Sequence, residues 1–244
     1  MARYWIGTSG YSYKEWRGTF YPDGTPDSGL LRYYAARFVT VEINYTFYRM
    51  PSVRLLHGWA KETPDTFAFT LKAPRRITHD LRLRDAADIL SDFCDTAGAL
   101  KHKLGALLFQ LPPFLKRDVP RLEDFLHQLT PGLKVAFEFR NQSWFVDEVY
   151  ECLSRFGVAL CVVESAEREV PLECTADFGY FRLRKPDYGD AELAACAQRI
   201  EAAARRWQDV FVYFKHEAEG RGPVFATKLR SLLEGQSEAK AAEA

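Results

Sequence analysis

No apolar run in this sequence approaches the ~20 residues that a helix needs to cross a bilayer. An excess of one charge is missing as well, because Lys+Arg 33 match Asp+Glu 33. Without a net field, attraction for a polyanion or an anionic membrane has to come from a local patch. The opening Met-Ala-Arg-Tyr-Trp lacks the regions of a signal peptide. The cysteines, Cys94, Cys152, Cys161, Cys174 and Cys196, include no C-x-x-C pair. That argues against a disulfide scaffold or zinc ribbon and for reduced thiols in a cytoplasmic, membrane-free protein. Also absent are a P-loop, G-x-G-x-x-G, G-x-S-x-G, H-x-H and H-E-x-x-H. Nucleoside-triphosphate, Rossmann-cofactor, serine-hydrolase and histidine-metal readings therefore have no motif to rest on. No cofactor is evident; a divalent metal held by carboxylates is compatible with the sequence but is not predicted. Oligomeric state is not legible.

What is present is a chain of 244 residues, 47% hydrophobic, enough to bury a sizeable core. Eight β-branched and aromatic runs recur: Tyr4–Thr8, Val41–Tyr45, Phe67–Lys72, Gly105–Gln110, Lys134–Phe139, Ala159–Val163, Phe178–Leu183 and Val210–Lys215. Segments of helical period separate them, including Gly29–Phe38, Val53–Glu62, Asp85–Lys103, Pro120–Leu129, Phe145–Phe156, Ala191–Trp207 and Val224–Leu233. Ser52 and Asp118 are candidate N-caps, and Gly157 a candidate C′ glycine. Strands alternating with helices demand parallel neighbours joined by crossovers. Eight of them predict an α/β fold, a (β/α)8 TIM-type barrel in a single domain over 1–233. The sixth helix is expected to be shortened or irregular, because ESAEREVPLECTAD is polar and short. Residues 234–244 are expected to be a disordered tail.

In such a barrel the chemistry gathers where strands end. Those ends hold Ser9, Glu42 and Asn44, Lys72, Gln110, Glu138 and Arg140, Glu164, Arg182 and Arg184, then Lys215 and His216. The opposite ends, with Val39, Asp65, Leu133, Val158 and Asp209, form a blander set. In VAFEFRNQSW, Glu138 and Arg140 are two apart and share a strand face, so they can pair. Glu42 and Lys72 are the other expected pair. One reading is ion pairs plugging the barrel top. The other is a polar pocket, favoured because buried ion pairs stabilise poorly compared with apolar packing.

The third βα loop, TLKAPRRITHDLR, places Lys72, Arg75, Arg76 and His79 together. Of these Lys72 is the expected ligand for a phosphate or carboxylate. The first fifty residues hold 13 of the chain's 35 aromatics, concentrated in TSGYSYKEWRGTFYP. They either seal the barrel mouth or offer rings, Tyr11 among them, that stack on a base or sugar. Tyr48 and Trp144 extend the same theme.

Taken together, IGTSGYSYKEWRGTFYP, VEINYTFYRMP, FTLKAPRRITHD, LFQLPP, FEFRNQSW and TADFGYFRLR resemble the YecE-like family, a domain of unknown function. The resemblance runs in order from Ile6 to about Arg184 and implies a cytoplasmic TIM-type barrel, similar in fold to apurinic endonuclease and xylose isomerase barrels. Fold similarity does not transfer their chemistry. The family's recurring polar positions fall here on Ser9, Tyr11, Glu42, Asn44, Tyr48, Lys72, His79, Gln110, Glu138, Arg140, Trp144 and Arg182. Two departures stand at strand ends. Arg184-Lys185 replace the usual His-Gly, and Lys215-His216-Glu217 replace an Asn-Asn-Asp-like ending.

The expectation is an enzyme acting on an anionic substrate, a sugar phosphate or nucleic-acid component, by hydrolysis, elimination or isomerisation. Glu42 and Glu138 are its acid/base candidates. Ser9, Tyr11, Asn44, Tyr48, Lys72, His79, Gln110, Arg140, Trp144, Arg182 and Lys215 are the binding candidates, with no metal ligand. The alternative is a non-catalytic binder of single-stranded or damaged nucleic acid, using the aromatic first loop and the Arg75–Arg84 loop.

Overall fold

A computed structural model describes residues 2–165, 170–216 and 218–242. Its strands are β1 (Arg3–Ser9), β2 (Thr40–Ile43), β3 (Ala68–Lys72), β4 (Leu104–Gln110), β5 (Val135–Glu138), β6 (Ala159–Glu164), β7 (Phe178–Leu183) and β8 (Asp209–Phe214). They pair in sequence order, every pair parallel, and β1 closes on β8 to complete the TIM-type barrel. Two strands are shorter than their composition suggests. β2 stops at Ile43, because a single helical turn, α2 (Tyr45–Tyr48), begins just after Asn44. β5 stops at Glu138, so Arg140 lies beyond it.

The remaining helices are α1 (Leu30–Ala35), α3 (Val53–Glu62), α4 (Ala87–Gly98), α5 (Val119–Leu126), α6 (Asp147–Arg155), α7 (Asp190–Ala204) and α8 (Arg221–Ala242). Ser52 caps α3 by accepting from the Leu55 amide at 3.2 Å, and Asp118 caps α5 by accepting from the Arg121 amide at 3.2 Å. Gly157 ends the α6 segment at φ 62°, in the left-handed region that glycine enters without steric cost. Among the described residues no helix joins β6 to β7; residues 166–169 of that connection lie outside them. α8 extends through the polar stretch from Glu234, where the composition predicts fraying.

β1 is held unequally. It matches β8 at six positions, Arg3↔Asp209 to Thr8↔Phe214, but β2 only at Thr8↔Val41 and Ser9↔Glu42. Near that seam the buried Tyr34 hydroxyl accepts from the Thr8 amide at 2.9 Å and donates to the Thr40 carbonyl at 3.0 Å. Gly7 makes the approach feasible, since a Cβ there would stand 2.2 Å from the Thr40 oxygen. Inside the barrel, the Tyr213 hydroxyl meets Thr40 and Thr70, each at 2.8 Å, and its ring packs on Tyr180. The first loop folds inward. Trp16 and Tyr21 are buried and pack with Phe20. The Phe20 ring in turn meets Tyr33, Tyr34 and Phe38, so these rings seal the structure and are not free to stack on a base.

Candidate functional site

The C-terminal ends of β1, β2, β3, β4, β5 and β7 bring a connected set of polar side chains into the barrel mouth. Arg182, on β7, lies at its centre and is completely buried. One terminal nitrogen donates to Glu138 Oε2; the other donates to Glu42 Oε1 at 2.7 Å and to Ser9 Oγ at 3.2 Å. Ser9 Oγ also donates to Glu42 and accepts from Asn44 Nδ2 at 2.8 Å. The Tyr180 hydroxyl donates to Glu42 Oε2 at 2.6 Å. On the other side Gln110 Nε2 donates to Glu138 Oε1 at 2.7 Å, while Gln110 Oε1 accepts from Lys72 Nζ at 2.8 Å. Arg184 reaches in from the rim, 3.9 Å from Glu138 Oε1.

Burial alone would raise the carboxyl of Glu42. The Arg182 guanidinium, with hydrogen bonds from Ser9 and Tyr180, overcomes that and holds it below the usual range. Glu138 feels the same opposition, and the charges of Arg182 and Lys72 bring it down to about 2. Burial would likewise disfavour the Arg182 cation, but the two carboxylates outweigh it and keep it charged. Lys72 goes the other way: burial first, then the nearby Arg182 charge, lower its amine to about 7 despite both glutamates. Burial and the charge of Lys72 lower His79.

The expected pairs are exchanged. Glu138 bonds Arg182 instead of Arg140, because β5 ends before Arg140 and the strand alternation with it. Glu42 bonds Arg182 instead of Lys72, whose amine goes to Gln110. Arg140 is half-buried and forms no ion pair among the described residues, although its charge, like that of Arg182, lowers Arg184. Lys215, just past β8, adds its charge to the environment of Lys72. His79 sits in a π-helical turn, Arg76–Asp80, instead of an open loop, with its ring 5.0 Å from Phe47. The Phe47 ring centre in turn lies 4.1 Å from Lys72 Nζ. After that turn Arg82, Leu83 and Asp85 take φ values of 52°, 69° and 46°, costly for residues with a Cβ.

Three aromatic candidates stand apart from the cluster. Trp144 is fully buried, stacked 4.6 Å from Phe139 and donating to the Leu115 carbonyl at 2.8 Å, so it ties two loops together. Tyr48 is 80% exposed on the rim. Tyr11 lines a separate cavity of about 440 Å³ with Tyr13, Asn44, Leu55 and Trp59, where burial and then Glu62 push its hydroxyl up to about 12. Tyr180 is the participant that strand-end reasoning misses; its signal lies in Tyr180-Phe181-Arg182, where the first and third residues share the inward face.

A larger cavity, about 720 Å³, opens at the opposite end, lined by Arg3, Trp5, Lys134 and Asp209 among others. Asp209 there already accepts from Arg3 at 2.8 Å and Trp5 at 2.9 Å, with Lys134 at 3.4 Å. Because βα loops and strand C-termini supply the chemistry of these barrels, the cluster at the mouth is the candidate site. Among the described residues no group of three or more His, Cys, Asp or Glu is arranged to hold a metal, and no helix is long and apolar enough to cross a membrane.

Residues 5–244 match the family described as Protein of unknown function DUF72. The chain belongs to the DUF72 family. Within it, the UPF0759 protein YunF of Bacillus subtilis is 33% identical over 94% of both chains. YecE of Escherichia coli K12 is 33% identical over 47% of this chain and 43% of its own. A crystal structure of a DUF72 protein from Thermotoga maritima superposes with a TM-score of 0.86 at 28% identity, covering 95% of this chain and 99% of that one. The DUF72 barrel and the YecE-like resemblance therefore stand; the family brings no activity with it.

Proposed function

We propose that this DUF72 protein is an enzyme acting on a small anionic, typically phosphorylated, molecule at the C-terminal mouth of its barrel. One observation carries the reading: the mouth gathers cations above carboxylates that are already neutralised. Arg182 engages both Glu42 and Glu138 in the throat. Arg184, with 27% of its side chain exposed, lies 3.9 Å from Glu138, the charge of Arg140 reaches Arg184, and that of Lys215 reaches Lys72. A phosphate or carboxylate entering there meets bidentate guanidinium donors. Held ionised by Arg182, Glu42 and Glu138 are weak bases suited to orienting that guanidinium, and proton transfer in turnover falls to another group, such as His79 or Lys72.

Isothermal titration of the protein with inorganic phosphate tests this. Binding should weaken by about tenfold or more in Arg184→Gln or Arg140→Gln, the loss typical of one charge-assisted contact. Unchanged affinity in both variants, or no binding at all, would remove the reading.

A second reading, the non-catalytic nucleic-acid binder, is favoured by the rim. Tyr48 is 80% and Phe114 65% exposed, and the Arg82 guanidinium lies 5.9 Å from the Phe114 ring. Exposed rings beside cations suit stacked bases. Binding of a single-stranded oligonucleotide that falls steeply with salt, and falls again in Phe114→Ala, would favour it over the enzyme.

A further inference from the structure

Lys72 stands out from every other cation at the mouth. The residue is 8% exposed, and among the described residues it forms no ion pair. Its hydrogen-bond partner is the neutral amide of Gln110. That amide cannot turn round: Nε2 must face the Glu138 carboxylate, so Oε1 must face Lys72. An amide oxygen accepts more strongly from an ammonium than from an amine, but it carries no net charge and so is a weaker hold on the lysine proton than a carboxylate in the same place. The Phe47 ring face, 4.1 Å from Nζ, also favours the ammonium, again without supplying a negative charge. The charged groups that reach Lys72 are Arg182 and Lys215, which disfavour its cation, and Glu138 and Glu42, which favour it but are themselves held by Arg182.

We infer that Lys72 is a covalent nucleophile that forms an imine with an aldehyde or ketone bearing a phosphate or carboxylate. This deepens the proposed function and rests on it, with Arg184 and Arg140 holding the anion. The Nζ lone pair adds to the carbonyl carbon and the carbonyl oxygen takes a proton, giving a carbinolamine. Nitrogen gives up one proton to solvent, and the hydroxyl takes up a proton and departs as water, leaving the iminium C=N–H+; one water is released per iminium. His79, beside the same Phe47 ring and bonded through Nδ1 to Thr78 at 2.9 Å, is placed to carry those protons. An iminium accepts electron density from the adjacent carbon, which places the activity among lyases acting on anionic carbonyl compounds.

The test is trapping with cyanoborohydride, which reduces the imine to a stable amine, followed by peptide mass spectrometry. Glyoxylate serves as the carboxylate-bearing aldehyde and pyridoxal 5′-phosphate as the phosphate-bearing one. With its amine near 7, Lys72 is about half neutral at pH 7, against roughly one part in 2,500 for an ordinary exposed lysine. After allowance for restricted access, it should be labelled about tenfold faster than exposed Lys61 and Lys116, with a rate midpoint near pH 7. Inorganic phosphate should slow the labelling of Lys72 alone. Preference for one probe names the anion. Labelling no faster than Lys61, in a protein that still binds phosphate, overturns the imine and leaves the anion site standing. Fast labelling of Lys72 that phosphate does not slow supports the nucleophile and overturns the anion reading.

Discussion

Arg182 gives each terminal nitrogen to a different carboxylate, and its Nε has no partner among the described residues. Removing one carboxylate therefore does more than delete a contact, because it leaves a buried guanidinium half compensated. Glu138→Gln should lower unfolding stability by about 3–5 kcal/mol, the range for breaking a buried pair, as read by urea denaturation. A cost under about 1 kcal/mol would mean that the network contributes little to the fold. The pH dependence has a definite sign. Glu138 titrates near 2 in the folded protein and near 4.3 when unfolded, so its stabilisation is complete above the unfolded value. It is lost as pH falls from there toward 2, and Glu138→Gln should flatten that acid limb. Glu42 was readable at this scale as a charge on an inward face. Its partner was not, because the contact joins residues 140 positions apart in the chain and only barrel closure brings them together.

Among the elements, β1 depends on β8 along most of its length and touches β2 only near its end. The seam near Gly7 tolerates no side chain, because the clash there is with the backbone oxygen of Thr40, whereas at Gly179 an added Cβ would meet a side chain, the Trp207 ring, at 2.5 Å. Gly7→Ala should therefore cost several kcal/mol, by the backbone clash, and clearly more than Gly179→Ala. Thermal melts of the two variants side by side would decide it; equal losses would show that the seam yields. Element order and the caps at Ser52 and Asp118 were legible because hydrophobic period and capping chemistry are local. The end of β5 was not. FEFR continues the alternation past Glu138, and pairing geometry with neighbouring strands, absent from the sequence, decides where a strand stops.

For the whole molecule, closure is the governing property. Every strand pair is parallel, and the joint between β1 and β8 links residues about two hundred positions apart in sequence. Such non-local pairing predicts slow folding and a transition that includes all strands. Removing residues 2–9 should abolish the cooperative thermal transition seen by circular dichroism, and not merely lower its midpoint; a sharp melt in the truncated chain would show that seven strands suffice. The fold class was legible at this scale from the count of alternating elements. The blind spot was the mouth's connectivity, since Glu42, Glu138 and Arg182 come from β2, β5 and β7. Their shared contact carries a consequence for heredity. A lineage that altered any one of the three codons would pass through a protein with an orphaned charge in its throat. Across descendants of a common ancestor, the three positions should consequently be inherited intact or exchanged as a block, with single departures rare.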